Sequence, residues 1–316
     1  MAARILDIRR TIDQGVHLAS RVIYALPVAH PGLYGVDVEY DVAYRDTGSR
    51  AHKLDVYRPR GAGRPPAIMY VHGGAFSTLS KDTHRVMALN LAARGYVVFN
   101  INYRLGPTHG YPAPLEDAAA ALGWVETNAA RYGADPTRIV LAGESAGANL
   151  VTALATIAIE PRPEPFARTI YDRNPPIRAV LAIYGLLDLH DIHRFTTHPR
   201  LKPWLKAMIV DAGTAYVGRP IRERALDAPL ASPLRILAAA PSDLARTPPP
   251  FFAAAGTADP LLDDSRRLLA AVEGRGGLCR LEIFPGEIHG FNALVWRKAA
   301  LDKWRAVSEF LRHHVG

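Results

Sequence analysis

The chain has 316 residues, 49% apolar and 22% charged, which is ordinary globular composition and excludes disorder along the whole length. It carries 38 Lys+Arg against 30 Asp+Glu, a net +8, but its basic residues are scattered. Only short groups such as Arg9-Arg10 and Arg266-Arg267 occur, so a solvated basic surface fits better than a nucleic-acid stripe. Cys279 is the single cysteine, so neither an intrachain disulfide nor a cysteine zinc site can form. No apolar run of about 18 residues exists, and no membrane span is expected.

In Met1 to Leu26 the apolar residues Ile5, Ile8, Ile12, Val16, Ala19, Val22 and Ile23 recur every three or four positions. That spacing predicts an amphipathic helix rather than a secretory leader, and the cytoplasm is the expected compartment. Val36, Val38, Tyr40, Val42 and Tyr44 alternate with polar residues and predict a strand. Lys53 to Arg58 reads as a second one. Ala67 to Val71 is a continuous apolar run, as expected of a strand covered on both faces.

Helices and strands then alternate. Helices are expected over Thr83–Arg94, Pro114–Arg131 and Ser145–Ile159, the last one ended by Pro161, Pro163 and Pro165. Strands are expected over Tyr96–Asn102, Arg138–Ala142 and Ala179–Tyr184. Residues 186–247 break the pattern with His- and Pro-rich loops and a helix near Trp204–Val217. The alternation resumes with strands Phe251–Ala255 and Arg280–Phe284 and helices Leu261–Glu273 and Lys298–Leu311. The expected architecture is one α/β core, 36–185 and 248–316, with a mostly parallel sheet and helices on both faces. A helical cap is expected over 186–247, with residues 1–35 contributing a helix to it.

Gly143-Glu144-Ser145-Ala146-Gly147 is a G-x-S-x-G sequence between a predicted strand and a predicted helix. A serine on so tight a turn projects its hydroxyl above the sheet, and the Ala146 N–H at the helix start can stabilise a developing oxyanion. His72-Gly73-Gly74-Ala75 follows the strand Ala67–Val71. Its paired glycines can turn backbone N–H groups into a cavity. Asp259 and His289 follow the two late strands, at the carboxyl edge where α/β sites form. The order Ser145, Asp259, His289 is that of a hydrolase triad of nucleophile, orienting acid and base. Asp263 and Asp264, one helical turn beyond Asp259, compete as the acid, but they start a helix, where carboxylates are favoured as N-terminal charges.

These pieces, with Asn102-Tyr103-Arg104-Leu105, Tyr111 to Ala118, Asp259-Pro260-Leu261 and His289-Gly290-Phe291, resemble the hormone-sensitive-lipase-like branch of the α/β-hydrolases, the bacterial family IV carboxylesterases. The resemblance runs from about residue 50 to the end. It implies an α/β-hydrolase fold and a serine carboxylesterase acting on short to medium acyl esters. It also implies catalytic Ser145, Asp259 and His289, with an oxyanion hole from Gly73, Gly74 and Ala146. Neither a metal nor an organic cofactor is expected, and the partner is a small-molecule ester. Oligomeric state stays open, a homodimer included. Amide or formamide hydrolysis on the same fold is the nearest alternative, and a non-catalytic receptor is a more distant one. The chain departs from the branch at Ala75, a third glycine in the family, at Gly106-Pro107-Thr108, and at Glu144, where Asp is frequent. Tyr103, Arg104 and Asp117 are expected to brace the scaffold. Asp188, His190, Asp191, His193 and His198 lack metal-site spacing and are expected to pack or be solvated. The apolar residues Val16, Val22, Ile23, Leu201, Trp204, Leu205, Met208 and Ile209 are expected to wall a closed pocket.

Overall fold

The computed structural model describes residues 2–61, 63–199, 201–239 and 246–316. The side chains of residues 2–10 and 12 lie outside that description, so those of Ile5, Ile8 and Ile12 do too, as do residues 240–245 of the expected insertion. Eight strands form one sheet: β1 (Val36–Ala43), β2 (Lys53–Pro59), β3 (Pro66–Val71), β4 (Val97–Ile101), β5 (Asp135–Glu144), β6 (Ile177–Ile183), β7 (Phe251–Gly256) and β8 (Cys279–Phe284). Their order is β1-β2-β4-β3-β5-β6-β7-β8. β2 runs antiparallel to both β1 and β4, and every pair from β4 to β8 is parallel.

The helices are α1 (Ala2–Ala25), α2 (Arg85–Ala92), α3 (Ala113–Asn128), α4 (Ala146–Ile159), α5 (Pro165–Arg173), α6 (His193–Thr197), α7 (Pro203–Val217), α8 (Ile221–Asp227), α9 (Pro233–Ala238), α10 (Leu262–Glu273) and α11 (Lys298–His314). Two apolar layers sandwich the sheet. One holds α3, α4, α5 and α10, and the other holds α2 and α11. β3, β4 and β7 are buried at every residue, as expected of apolar runs covered on both faces. β1 and the residue after it keep the expected alternation on either side of a bulge, with only Tyr40 departing from it: Val36 and Val38 pack on one layer and Val42 and Tyr44 on the other, because the register shifts between Glu39 and Val42, with Asp41 at φ +59. An edge strand has only one neighbour to fix its register, so a bulge there disturbs little.

α5 is a helix that the sequence reading did not expect. The Pro series was read only as a stop, yet Pro165 is also its N1 residue, where a missing N–H costs nothing and a fixed φ favours the first turn. Ala167 and Ile170 then bury one face.

α6 to α9 are inserted between β6 and β7 and are tied down by buried polar groups. Asn149 of α4 donates to the Leu186 carbonyl at 2.7 Å and to that of Ala231 at 3.0 Å. Asp264 of α10 accepts the Leu187 N–H at 2.8 Å and pairs with Arg194. Ser232 Oγ accepts the N–H groups of Leu189 and His190. Asp188 pairs with Arg267 at 2.6 Å, and His190 contacts Arg235, so both are engaged within the insertion and its anchor. Among the described residues no helix is long and apolar enough to cross a membrane.

Candidate active site

Ser145 stands between β5 and α4 with φ +54 and ψ −116, a region costing about 1–3 kcal/mol for a residue with a side chain. Close packing holds it there. A Cβ on Gly143 would come within 2.5 Å of the Gly147 backbone, and one on Gly147 would strike the Val71 carbonyl. The Ser145 N–H also donates to the Ile183 carbonyl at 2.9 Å. α4 is buried at every position, so the turn rests on a helix locked between sheet and insertion.

The loops after β7 and β8 bring Asp259 and His289 to this serine. His289 Nε2 lies 3.0 Å from Ser145 Oγ, and its Nδ1 lies 2.9 Å from Asp259 Oδ2. Asp259 is buried and its Oδ1 accepts the Leu261 N–H at 2.8 Å, so the carboxylate cannot swing away cheaply. The Tyr184 ring meets the His289 ring edge-on at 4.7 Å. Burial pulls the His289 pKa down, but the charge and hydrogen bond of Asp259, with a contribution from Glu144, outweigh it and leave it raised. Asp263, a rival acid on sequence grounds, is exposed. Asp264, the other rival, is the buried anchor of the insertion rather than a solvated charge at a helix start. Burial pushes its pKa up to about 6.

The loop after β3 passes directly over the nucleophile. A Cβ on Gly73 would lie 3.1 Å from the Glu144 carbonyl oxygen and 3.4 Å from Ser145 Cβ. Ala146 is the first residue of α4, where a backbone N–H has no partner one turn earlier. Gly73 thus lies against Ser145 and Ala146 follows it at the helix start, while Gly74, next in the loop, packs on the Thr78 backbone. Ala75 and Phe76 follow at φ +52 and +59. His72 braces the loop: its Nδ1 is 2.6 Å from the Gly73 carbonyl oxygen and its ring stacks on Tyr103 at 4.4 Å. Burial pushes its pKa down to about 3, which keeps it neutral. Arg104 makes a two-pronged bond to Asp117 at 2.8 and 2.9 Å, a scaffold pair as expected.

A second cluster, not found from the sequence, sits behind the serine. The Glu144 carboxylate is buried and meets His84 Nε2 at 2.9 Å, the Tyr184 hydroxyl at 2.6 Å and Asn292 Nδ2 at 2.9 Å. Burial alone would raise its pKa, but these hydrogen bonds and the His84 charge hold it far below the usual carboxylate range. Asn292 is three residues past His289, and Tyr184 carries the ring against which His289 leans. Glu144 therefore links the nucleophile turn to the loop of the base. The only sequence signal was its place beside Ser145.

The cavity departs from expectation. A trough of about 1370 Å³ runs beside the oxyanion loop, lined by Asp13, His17, Arg21 and Tyr24 of α1 and by residues of 47–52, 79–85 and 102–109. Val16, Val22, Ile23, Trp204 and Met208 do not wall it; they are exposed. Leu201 and Leu205 pack against the main core, and Ile209 is buried within it. The reason is that α1 turns its polar side to the body: Asp13 accepts the Leu79 N–H at 2.7 Å, and the Tyr24 hydroxyl donates to the Thr83 carbonyl at 3.0 Å.

A family model of the alpha/beta hydrolase fold matches residues 68–293. Esterase LipI of Mycobacterium tuberculosis (strain ATCC 25618 / H37Rv) is 31% identical over 311 residues, 92% of this chain and 85% of that protein. An acetyl esterase of Salmonella paratyphi A is 31% identical over 237 residues, 75% of this chain and 68% of its own. Among solved structures, a Pyrobaculum calidifontis esterase superposes with TM-score 0.75 at 26% identity, covering 98% of this chain and 94% of that one. A bacterial heroin esterase reaches TM-score 0.80 at 22% identity, over 99% and 93% of the two chains, a likeness of fold alone.

Proposed function

This chain belongs to the α/β-hydrolase-fold family, and from that premise we propose that it is a serine carboxylesterase acting on short to medium acyl esters. The observation that carries the reading is the hydrogen-bonded run from Asp259 through His289 to Ser145 Oγ, at 2.9 and 3.0 Å, on a strained turn. His289 Nε2 takes the hydroxyl proton as Oγ attacks the ester carbonyl. Asp259 holds the tautomer that leaves Nε2 free to accept and stabilises the imidazolium that forms. The N–H groups of Gly73, Gly74 and Ala146 bind the oxyanion. The intermediate collapses as His289 returns the proton to the leaving alcohol. Water then repeats the sequence on the acyl-enzyme and regenerates Ser145.

The preference for shorter acyl groups is supported by the likeness to an acetyl esterase, 31% identical over 75% of this chain. Full burial is worth about 0.8 kcal/mol per CH₂ until an acyl pocket is full, after which added carbons gain nothing. A p-nitrophenyl ester series from acetate to palmitate tests this. The expected maximum in kcat/KM lies between about two and eight carbons, where the per-carbon gain ends. A maximum at palmitate with interfacial activation would indicate a lipase instead. Negligible ester turnover beside fast cleavage of a formanilide would indicate an amidase.

A further inference from the structure

α11 buries Ala300, Lys303, Trp304, Val307 and Leu311, the three- and four-residue spacing of a helix face turned to a core. A lysine stands in that stripe where an apolar residue is expected, and it is 2% exposed. Lysine is almost never fully buried unless an acid pairs with it. Among the described residues Lys303 forms no ion pair, and its Nζ sits over the Trp304 ring, 3.1 Å from the centroid. Packing does not account for it, because an apolar side chain of similar length fills such a place with no charge to desolvate.

Lys303 and Trp304 line a cavity of about 20 Å³ directly behind the nucleophile turn, together with Tyr70, Glu144 and Asn292. A water needs roughly 10–15 Å³ and two to four polar partners. The Tyr70 hydroxyl and Trp304 Nε1 are both buried without a hydrogen-bond partner. Glu144 Oε2 is taken by Tyr184 and Asn292, whereas Oε1 meets His84 and keeps a lone pair.

We propose that Lys303 is a positioning residue of the active site, joined to Glu144 by one enclosed water. That water accepts from Lys303 Nζ and Trp304 Nε1 and donates to Glu144 Oε1 and the Tyr70 hydroxyl, which gives it four partners. This role rests on the triad reading above, because Glu144 reaches His289 through Tyr184 and Asn292. A cation at Lys303 offsets part of the negative charge that Glu144 sets behind His289. Burial pushes the Lys303 pKa down to about 7, Glu144 pulls against that fall, and Arg94, 5.2 Å from the centre of the Trp304 ring, adds to it. The remaining lining residues are apolar, and the titratable groups facing Glu144 from elsewhere are His84 and Tyr184. The cation is therefore present below about pH 7, across the acidic limb set by His289, and fades above it.

The six lysines can be followed by their ¹³Cε resonances against pH, without reference to turnover. One is expected to titrate near pH 7 and the others at or above the ordinary ~10.4. That one is expected to vanish in Lys303→Met and to move to lower pH in Glu144→Gln. Lys303→Met is expected to keep or raise Tm, since it removes an unpaired buried charge. It is also expected to lower kcat by up to about tenfold with KM unchanged, as a displaced supporting group does. Its acidic limb is expected to move up, opposite to that of Glu144→Gln, because Glu144 then acts on His289 without an offset. A merely structural lysine would change Tm and leave the limb in place. A crystal structure is expected to show one water between Lys303 Nζ and Glu144 Oε1. Six lysines that all titrate at ordinary pH overturn the proposal. So does a Lys303 resonance that Glu144→Gln does not move, an unmoved limb in Lys303→Met, or a dry cavity. Failure of the esterase reading would show separately, as a native chain without ester turnover, and the resonances would still decide whether Lys303 and Glu144 are joined.

Discussion

Ser145 has a histidine–carboxylate pair on either side of its turn, and the two pairs use the same kinds of group for different ends. In front, His289 Nδ1 meets Asp259 at 2.9 Å and its Nε2 faces the serine hydroxyl at 3.0 Å. Behind, His84 Nε2 meets Glu144 at 2.9 Å, while its Nδ1 lies 3.1 Å from the Ser80 carbonyl oxygen and 2.9 Å from Thr83 Oγ1. The front ring is partly exposed and its second nitrogen is aimed at a group that can lose a proton. The back ring is buried, with both nitrogens occupied by the protein's own oxygens. A histidine beside a carboxylate therefore becomes a base only where its far nitrogen meets a reactive hydroxyl. Elsewhere the same pair is a strut.

The contrast breaks most sharply at the nucleophile. Ser145→Ala is expected to lower kcat by several powers of ten with an unchanged fold, measured as ester turnover beside circular dichroism. Near-normal turnover in the folded variant would refute the front pair's role. Asp259→Asn is expected to cost about 10⁴-fold in kcat by favouring the wrong His289 tautomer.

The back pair predicts a smaller and different loss. Glu144→Gln removes the charge that ties Tyr184 and Asn292 to the turn. A fall of roughly 10–100-fold in kcat is expected, with KM little changed, as for a displaced supporting group. Glu144→Asp is expected to recover part of it. Asp264→Asn serves as a control. It is expected to cost about 1–3 kcal/mol of stability through the insertion anchor, read as a lower Tm, and to leave the pH dependence alone.

The pH profile separates the pairs further. The base works neutral, so activity is lost as pH falls through the His289 pKa. Because that pKa is raised, the acidic limb is expected above the ordinary value of ~6.5. Asp259 contributes most to the rise and Glu144 less, so Glu144→Gln is expected to move the limb down slightly. An unmoved limb would confine Glu144 to a purely steric role. The smallest effect concerns the oxyanion loop. Ala75 at φ +52 bears a strain of about 1 kcal/mol that glycine relieves, so Ala75→Gly is expected to raise stability by at most that much.

The sequence by itself determined the parts that are local in the chain. Gly143 and Gly147 around Ser145 mark a turn that only a strand-to-helix joint can use, and the loops bearing Gly73, Asp259 and His289 each follow an apolar strand. In a parallel sheet every such loop emerges at the same edge, so order along the chain translates into nearness in space. Tertiary structure decided whatever depends on residues far apart in sequence. Glu144 meets Tyr184 and Asn292 across 40 and 148 residues, and no periodicity encodes that meeting. Asp264 reads as an ordinary helix-start charge until Leu187 and Arg194 fold against it. For α1 the three-or-four-residue spacing determined which residues share a face but not which face turns inward. Two hydrogen bonds, from the Leu79 N–H to Asp13 and from the Tyr24 hydroxyl to the Thr83 carbonyl, seated the polar side on the body and left the apolar stripe outside. Periodicity is a property of one helix, whereas orientation is set by the groups that helix meets.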